Sequence, residues 1–439
     1  WHERGARVET LRGHVREGRS IVDPFAFLVA CQELDEQKLC AEHYLADALP
    51  EGLPVPYRSG RVRHDKIRVA YLSSDFHEHA TAQLAAGLFE LHDRSRFETI
   101  GVSFSPDDGS EMRKRVSGSF GRFSDVRAMS DAEVAHLLRE LEVDIAVDLK
   151  GYTKGSRPGI LAHRSAPIQV SYLGYPGTMG AGFIDYILAD EFILPPQHQG
   201  FYTEKAVYLP GSYQVNDSKK RIAERAPTRA EAGLPQEGFV FCCFNISYKI
   251  QPPMFDIWMR LLCLAPGSVL WLLRDNALAE ENLRKEARAR GVEPHRLVFA
   301  SRMKLDEHLA RHRLADLFLD TLPYNAHTTA SDALWAGLPV LTCAGGAFAG
   351  RVAGSLLHAV GLPELVTQSL EEYEALALTL ASEPPRLGEI RRKLERNRAT
   401  APLFDTDRFR RHLESAYTTM WDIWQRGEQP RAFAVDPAI

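Results

Sequence analysis

His327-Thr328-Thr329, with Asp332 three residues further on, is the stretch richest in chemistry. It follows a short apolar run, Leu317-Phe318-Leu319, and a loop carrying Asp320, Pro323, Tyr324 and Asn325. Gly337, Pro339 and a second apolar run, Val340-Leu341, close it. The period reads as strand, loop, helix, strand, one parallel α/β unit. A helix start presents unpaired N–H groups and a partial positive charge, and two hydroxyls add donors, so a phosphate is stabilised there. Asp332 falls on the same flank as the threonines, where its carboxylate can hold a ribose hydroxyl. The same residues also suit plain capping, with Thr328 or Thr329 as the cap and Asp332 near the positive end.

His79 opens a helix directly after a strand. An imidazole with an ordinary pKa of about 6.5 suits a general base, and the same position suits a helix cap. Lys249 lies just past an apolar strand, either as a phosphate-neutralising ammonium or as a surface lysine. Glycine-rich loops at 151–155 and 174–180 permit close backbone approach to a ligand. Asp107-Asp108 precede Gly109 and read as a turn, although two carboxylates also suggest a metal.

The elements that must position these groups alternate regularly. Asp23-Pro24 starts one helix and Gln37 to Leu49 forms a second, a pair unable to bury its apolar faces alone and resembling the end of a helical repeat array. Leu53-Pro54-Val55-Pro56 reads as a linker. From Lys66 strands and helices alternate: strands at 67–72, 97–104, 145–149, 168–173, 184–188 and 206–209, with helices at 80–91 and behind a Ser130…Glu133 capping box. The polar, basic segment 211–236 reads as a link to a second alternation, with strands at 240–244, 269–273, 297–299 and 317–319. Helices near 350–360, 370–382, 386–398 and 406–426 end the chain. The expected organisation is α/β: a helical cap at 1–57, Rossmann-like domains at 66–210 and 235–405, and a helix and tail at 406–439. Ligands of such sheets bind at strand C-termini, in the cleft where two domains face each other.

Composition is that of an ordinary soluble globular protein, with 45% apolar and 25% charged residues. A net charge of −5 argues against a nucleic-acid surface, and no apolar run reaches the roughly 20 residues that span a bilayer. The polar opening Trp1-His2-Glu3-Arg4 is no signal peptide, and its missing methionine points to part of a longer protein. The six cysteines lack metal-like spacing and read as buried, reduced thiols, which makes the cytoplasm the expected compartment.

Taken together, Ser74-Asp75-Phe76…His79, Ser105-Pro106-Asp107-Asp108-Gly109, Gly151-Tyr152-Thr153-Lys154-Gly155, Pro167-Ile168-Gln169, Leu173-Gly174-Tyr175-Pro176-Gly177-Thr178, Asp185-Tyr186-Ile187, Phe244-Asn245…Tyr248-Lys249, Val269 to Arg274 and His327-Thr328-Thr329…Asp332…Leu334-Trp335-Ala336-Gly337 occur in that order. This series resembles the catalytic region of the O-linked N-acetylglucosamine transferases over about residues 66–426. The resemblance implies a two-domain glycosyltransferase B fold preceded by tetratricopeptide repeats, and an inverting transfer of N-acetylglucosamine from UDP-GlcNAc to Ser or Thr of proteins. It implies no metal or other cofactor.

Residue by residue, the resemblance makes His79 the histidine beside the reacting sugar and Lys249 the lysine on the donor diphosphate. Thr328 and Thr329 match the phosphate-binding pair, preceded by His327, and Asp332 matches the ribose-binding aspartate. His308 and Arg311 match groups near the uracil. Glu133 and His136 fall near other positions proposed as the base. The chain departs from animal members at Ile246-Ser247, where they carry a glutamine, and at Lys304-Leu305, where a lysine is displaced; both bear on nucleotide choice. It also lacks their large insert between the halves, which points to a bacterial type. The alternatives are a related transferase using GDP-fucose or another donor, and a non-catalytic binding module.

Overall fold

The computed structural model describes residues 1, 3–49 and 64–438. The linker read at 53–56 lies outside the described residues. The chain forms two compact units: one runs to Ser218 and resumes at Asp405, and the other spans Lys219–Phe404 together with Trp1.

Among the described residues the amino-terminal cap holds three helices, α1 (Arg4–Arg16), α2 (Pro24–Phe27) and α3 (Leu34–Ala48), where the sequence led us to expect a pair. α1 escapes an apolar-period reading because its surface is mostly charged; only Val15 is buried within it. Val15, Phe27, Cys31 and Cys40 make the shared core, while Arg12 and Arg16 pair with Glu36 of α3 at 2.7 and 3.1 Å. Asp23 caps α2 as expected, accepting the Ala26 N–H at 3.0 Å.

The first unit continues through β1 (Ile67–Ser73), α4 (Ala80–Leu91), β2 (Phe97–Ser103), α5 (Glu111–Ser119), β3 (Arg122–Asp125), α6 (Asp131–Glu140), β4 (Ile145–Asp148), α7 (Pro158–Ala162), β5 (Ile168–Ser171), β6 (Tyr186–Ala189) and β7 (Lys205–Tyr208). The second unit contains β8 (Val240–Cys243), α8 (Pro252–Leu264), β9 (Val269–Leu273), α9 (Ala277–Ala289), β10 (Leu297–Ala300), α10 (Leu305–Arg311), β11 (Leu317–Leu319), α11 (Thr328–Trp335), β12 (Val340–Cys343), α12 (Val352–Ala359), β13 (Val366–Thr367), α13 (Leu370–Ser382) and α14 (Pro384–Arg398). The chain then returns to the first unit with α15 (Thr406–Gln425) and β14 (Phe433–Ala434).

The first sheet has the order β14-β7-β6-β5-β4-β1-β2-β3 and the second β10-β9-β8-β11-β12-β13, every described pairing being parallel. Parallel sheets are covered on both faces, which is why their strands read as unbroken apolar runs rather than alternating ones. β4, β5, β6, β8 and β12 are buried along their whole length. In each sheet the strand order reverses once near the middle, between β1 and β4 and between β8 and β11. Loops at such a switch point diverge to opposite faces and leave a crevice at the strand C-termini. All six cysteines are free; five are buried, but Cys263 is exposed, against expectation. Among the described residues no helix is long and apolar enough to cross a membrane.

Candidate functional site

At the switch point of the second sheet, the loops after β8 and β11 bring together most of the groups singled out there. Lys249 Nζ donates to the Asn325 carbonyl at 2.7 Å and stands 3.7 Å from the centre of the Tyr324 ring. Burial pulls its pKa down to about 8, against the attraction of Asp320. Asp320, ending β11, is itself pushed up to about 6 by burial although it accepts from the Thr342 hydroxyl and the amides of Thr321 and Ala326. Asn245 donates to Thr321 Oγ1 at 2.8 Å and accepts from the Thr329 hydroxyl, so the loop after β8 is tied to the first turn of α11.

The cap of α11 is His327, whose side chain makes no cap hydrogen bond, so neither threonine serves as the cap. His327 Nε2–H donates to the Ala349 carbonyl at 3.1 Å, which leaves Nδ1 as the lone-pair nitrogen; burial, then Lys249, hold this ring neutral. An ammonium therefore sits beside a helix start whose first amides lack intrahelical partners. That arrangement suits a dianionic diphosphate.

Asp332 is on α11 but not idle near its positive end. Its Oδ1 accepts from Lys220 Nζ at 2.7 Å, and both residues are buried. Lys220 had read as part of a basic link; its carbonyl also accepts the Trp335 indole N–H at 3.1 Å, which fastens this segment to α11. His308 is on α10, packed 4.7 Å from His312 and 5.3 Å from Phe244, and burial drops its pKa to about 2. Arg311, only 2% exposed, lies over Phe244 at 4.6 Å and donates to the Ser301 carbonyl.

At the switch point of the first sheet, His79 is the N-cap of α4. Its Nδ1 accepts the Thr81 N–H at 3.2 Å and lies 3.6 Å from Asp75 Oδ2. Asp75 Oδ2 in turn accepts from Lys150 Nζ at 2.6 Å. Lys150, two residues past β4, was overlooked by sequence reasoning, although a lysine closing the apolar run 145–149 is the available signal. Glu133 is spent on the capping box of α6, and His136 pairs with Glu140 on the exposed face at 3.1 Å. Asp107 and Asp108 bind turn amides, as the turn reading requires.

The glycine loops differ from expectation. A Cβ on Gly151 would lie 2.3 Å from Tyr175 Cβ, and one on Gly174 would lie 2.1 Å from the Leu149 carbonyl oxygen. These glycines let two loops pack on each other, rather than opening the backbone to a ligand.

Two parallel sheets, each with a charged cluster at its switch point, define the two-domain α/β fold of the glycosyltransferase B class. An Anabaena HepE structure in complex with UDP and glucose shares it at a TM-score of 0.54 and 14% identity over 80% of this chain and all of that one. The chain belongs to glycosyl transferase family 41, whose model matches residues 39–226 and 222–413. It is 42% identical over 88% of its length to the probable UDP-N-acetylglucosamine--peptide N-acetylglucosaminyltransferase SEC of Arabidopsis thaliana, and 30% identical over 82% to the Caenorhabditis elegans UDP-N-acetylglucosamine--peptide N-acetylglucosaminyltransferase. It spans 40% and 41% of those two relatives. A mutant of the Thermobaculum terrenum O-GlcNAc transferase superposes at a TM-score of 0.84 with 30% identity, over 97% of this chain and 83% of that one.

Proposed function

We propose that this chain transfers N-acetylglucosamine from UDP-N-acetylglucosamine to Ser or Thr hydroxyls of proteins, with inversion at the anomeric carbon. The observation that carries this reading is the half-buried Lys249 ammonium, fixed by Asn325 and Tyr324 beside the open first turn of α11. The family and the relatives' names support the same donor and acceptor.

In the proposed reaction the acceptor oxygen attacks the anomeric carbon, its proton passes to a phosphate oxygen of the donor, and the bond from that carbon to the β-phosphate oxygen breaks. The electron pair leaves with UDP, whose new charge is met by Lys249 and the α11 amides. Preorganised donors lower a barrier most where charge develops, so this assignment needs no metal. Asp332 holds the ribose, His308 lies at the base, and His79 contacts the sugar or its acceptor.

Titration of the protein with UDP, GDP and their sugars tests the donor. UDP should bind in the presence of a chelator, and Lys249→Met should weaken that binding strongly. GDP bound in preference to UDP would redirect the reading to another donor. UDP affinity abolished by chelator, or unchanged in Lys249→Met, would overturn the phosphate clamp.

A further inference from the structure

The cluster at the first switch point has a charge arrangement that its role beside the sugar does not by itself require. Three ionisable side chains lie in series: His79, Asp75 and Lys150. Lys150 is 2% exposed and Asp75 6%, whereas the His79 side chain is 43% exposed. Asp75 is further held by the Thr81 hydroxyl at 3.4 Å and the Ser74 hydroxyl at 3.4 Å, and its own amide donates to Ser73 Oγ. Lys150 is placed by Asp148, which accepts its backbone N–H and that of Gly151, each at 2.9 Å.

In a histidine–carboxylate pair built for base catalysis, the carboxylate accepts the Nδ1 proton and leaves Nε2 free to take another. Here both halves of that device are blocked. Asp75 Oδ2 is committed to Lys150 at 2.6 Å, and His79 Nδ1 already accepts the Thr81 N–H. A proton on Nδ1 would point one N–H at another and sacrifice the cap of α4. We propose that Lys150 is a positioning residue: by neutralising Asp75 it leaves His79 a neutral ring with its proton on Nε2, a hydrogen-bond donor rather than a base. The acceptor hydroxyl's proton then passes to a phosphate oxygen of the donor, and the Nε2–H is free to bind an oxygen of sugar or acceptor. The inference rests on the transferase reading only for this last consequence.

The charges facing the ring agree. Burial lowers the His79 pKa; Asp75 raises it, and Lys150 and His77 lower it further. His77 lies 5.7 Å away, ring to ring, and itself faces Asp108 at 3.9 Å. Glu78 is taken up by Gln83.

The test is an NMR titration of the histidine rings of the whole chain, with the His79 signal identified by its loss in His79→Asn. We expect the wild-type ring to be the Nε2–H tautomer, titrating below the ordinary histidine value. Lys150→Met should move that titration up by about one unit or more, because an unneutralised carboxylate then faces the ring. Asp75→Asn should move it down, and Lys150→Arg should leave it in place. A wild-type Nδ1–H tautomer, or no movement in either Lys150→Met or Asp75→Asn, overturns the inference. Should Lys150→Met fail to fold, Asp75→Asn and Lys150→Arg decide it by the same signs. None of these readouts involves a donor sugar, so absent transferase activity would overturn the functional reading and leave the titration result standing.

Discussion

Lys220 and Asp332 form a buried ion pair, Nζ to Oδ1 at 2.7 Å, joining the segment between the sheets to the helix that begins at the phosphate-type site. The pair holds the Asp332 carboxylate in place as an acceptor for a hydroxyl. Hydrogen bonds to a charged acceptor contribute about 1.5–3 kcal/mol. UDP should therefore bind about tenfold or more tightly than its 2′- or 3′-deoxy analogue, and Lys220→Met should erase most of that difference. Calorimetric titration of the three nucleotides against both proteins checks this; a ratio that survives in Lys220→Met removes the lysine from ribose recognition.

Lys249 predicts a pH dependence of donor binding. Its ammonium is lost near pH 8 in the free protein, and a dianionic diphosphate needs it charged. UDP affinity should be level from pH 6.5 to 7.5 and fall above about 8, approaching tenfold per pH unit. Lys249→Met should bind more weakly, by about 2–5 kcal/mol, and show no such fall. An identical alkaline slope in the variant would assign the titration elsewhere.

His312 predicts an acid-labile contribution to stability. Burial holds its pKa at about 4, below the ordinary value of the unfolded chain. The unfolded state therefore takes up its proton first as pH falls, so this stability is present above about pH 6.5 and is lost below it. By pH 5 the loss is about 2 kcal/mol. His312→Asn keeps a donor where Nδ1 meets the His308 carbonyl and should flatten the loss in urea unfolding at pH 7 and 5. Equal losses in both proteins would rule His312 out as the source.

Gly174→Ala should destabilise the first unit by about 1–3 kcal/mol or more, because its Cβ would meet the Leu149 carbonyl oxygen at 2.1 Å. Gly118→Ala, in α5 with open space around the new methyl, should be neutral or mildly stabilising. Thermal unfolding of the two variants separates them, and equal melting temperatures would contradict the packing role of Gly174.

Most of the alternation was legible because parallel strands carry their burial as unbroken apolar runs: 269–273 and 80–91 are the observed bounds of β9 and α4. α1 and β3 were illegible because charged residues dominate one and half-exposed residues the other. Lys249, Thr329 and Asp332 stood out by type and position. Their partners did not, since Asn245, Asn325 and Lys220 act through contacts 76 to 112 residues away in sequence. Nothing local distinguishes a lysine that anchors a carboxylate from one in a solvated basic run. The glycine loops misled for the same reason: the atom each Cβ would strike belongs to another loop.

The return of the chain through α15 has a consequence for biosynthesis. Lys219–Phe404 is continuous in sequence, whereas the other unit closes only when α15 buries Tyr417 against Tyr71 and Glu414 against His92, and β14 adds an edge to β7. On the ribosome, the later half can therefore complete its fold before the earlier one. The earlier sheet must wait, with the Tyr71 and His92 side chains uncovered, until Glu414, Tyr417 and the last short strand emerge from the exit tunnel.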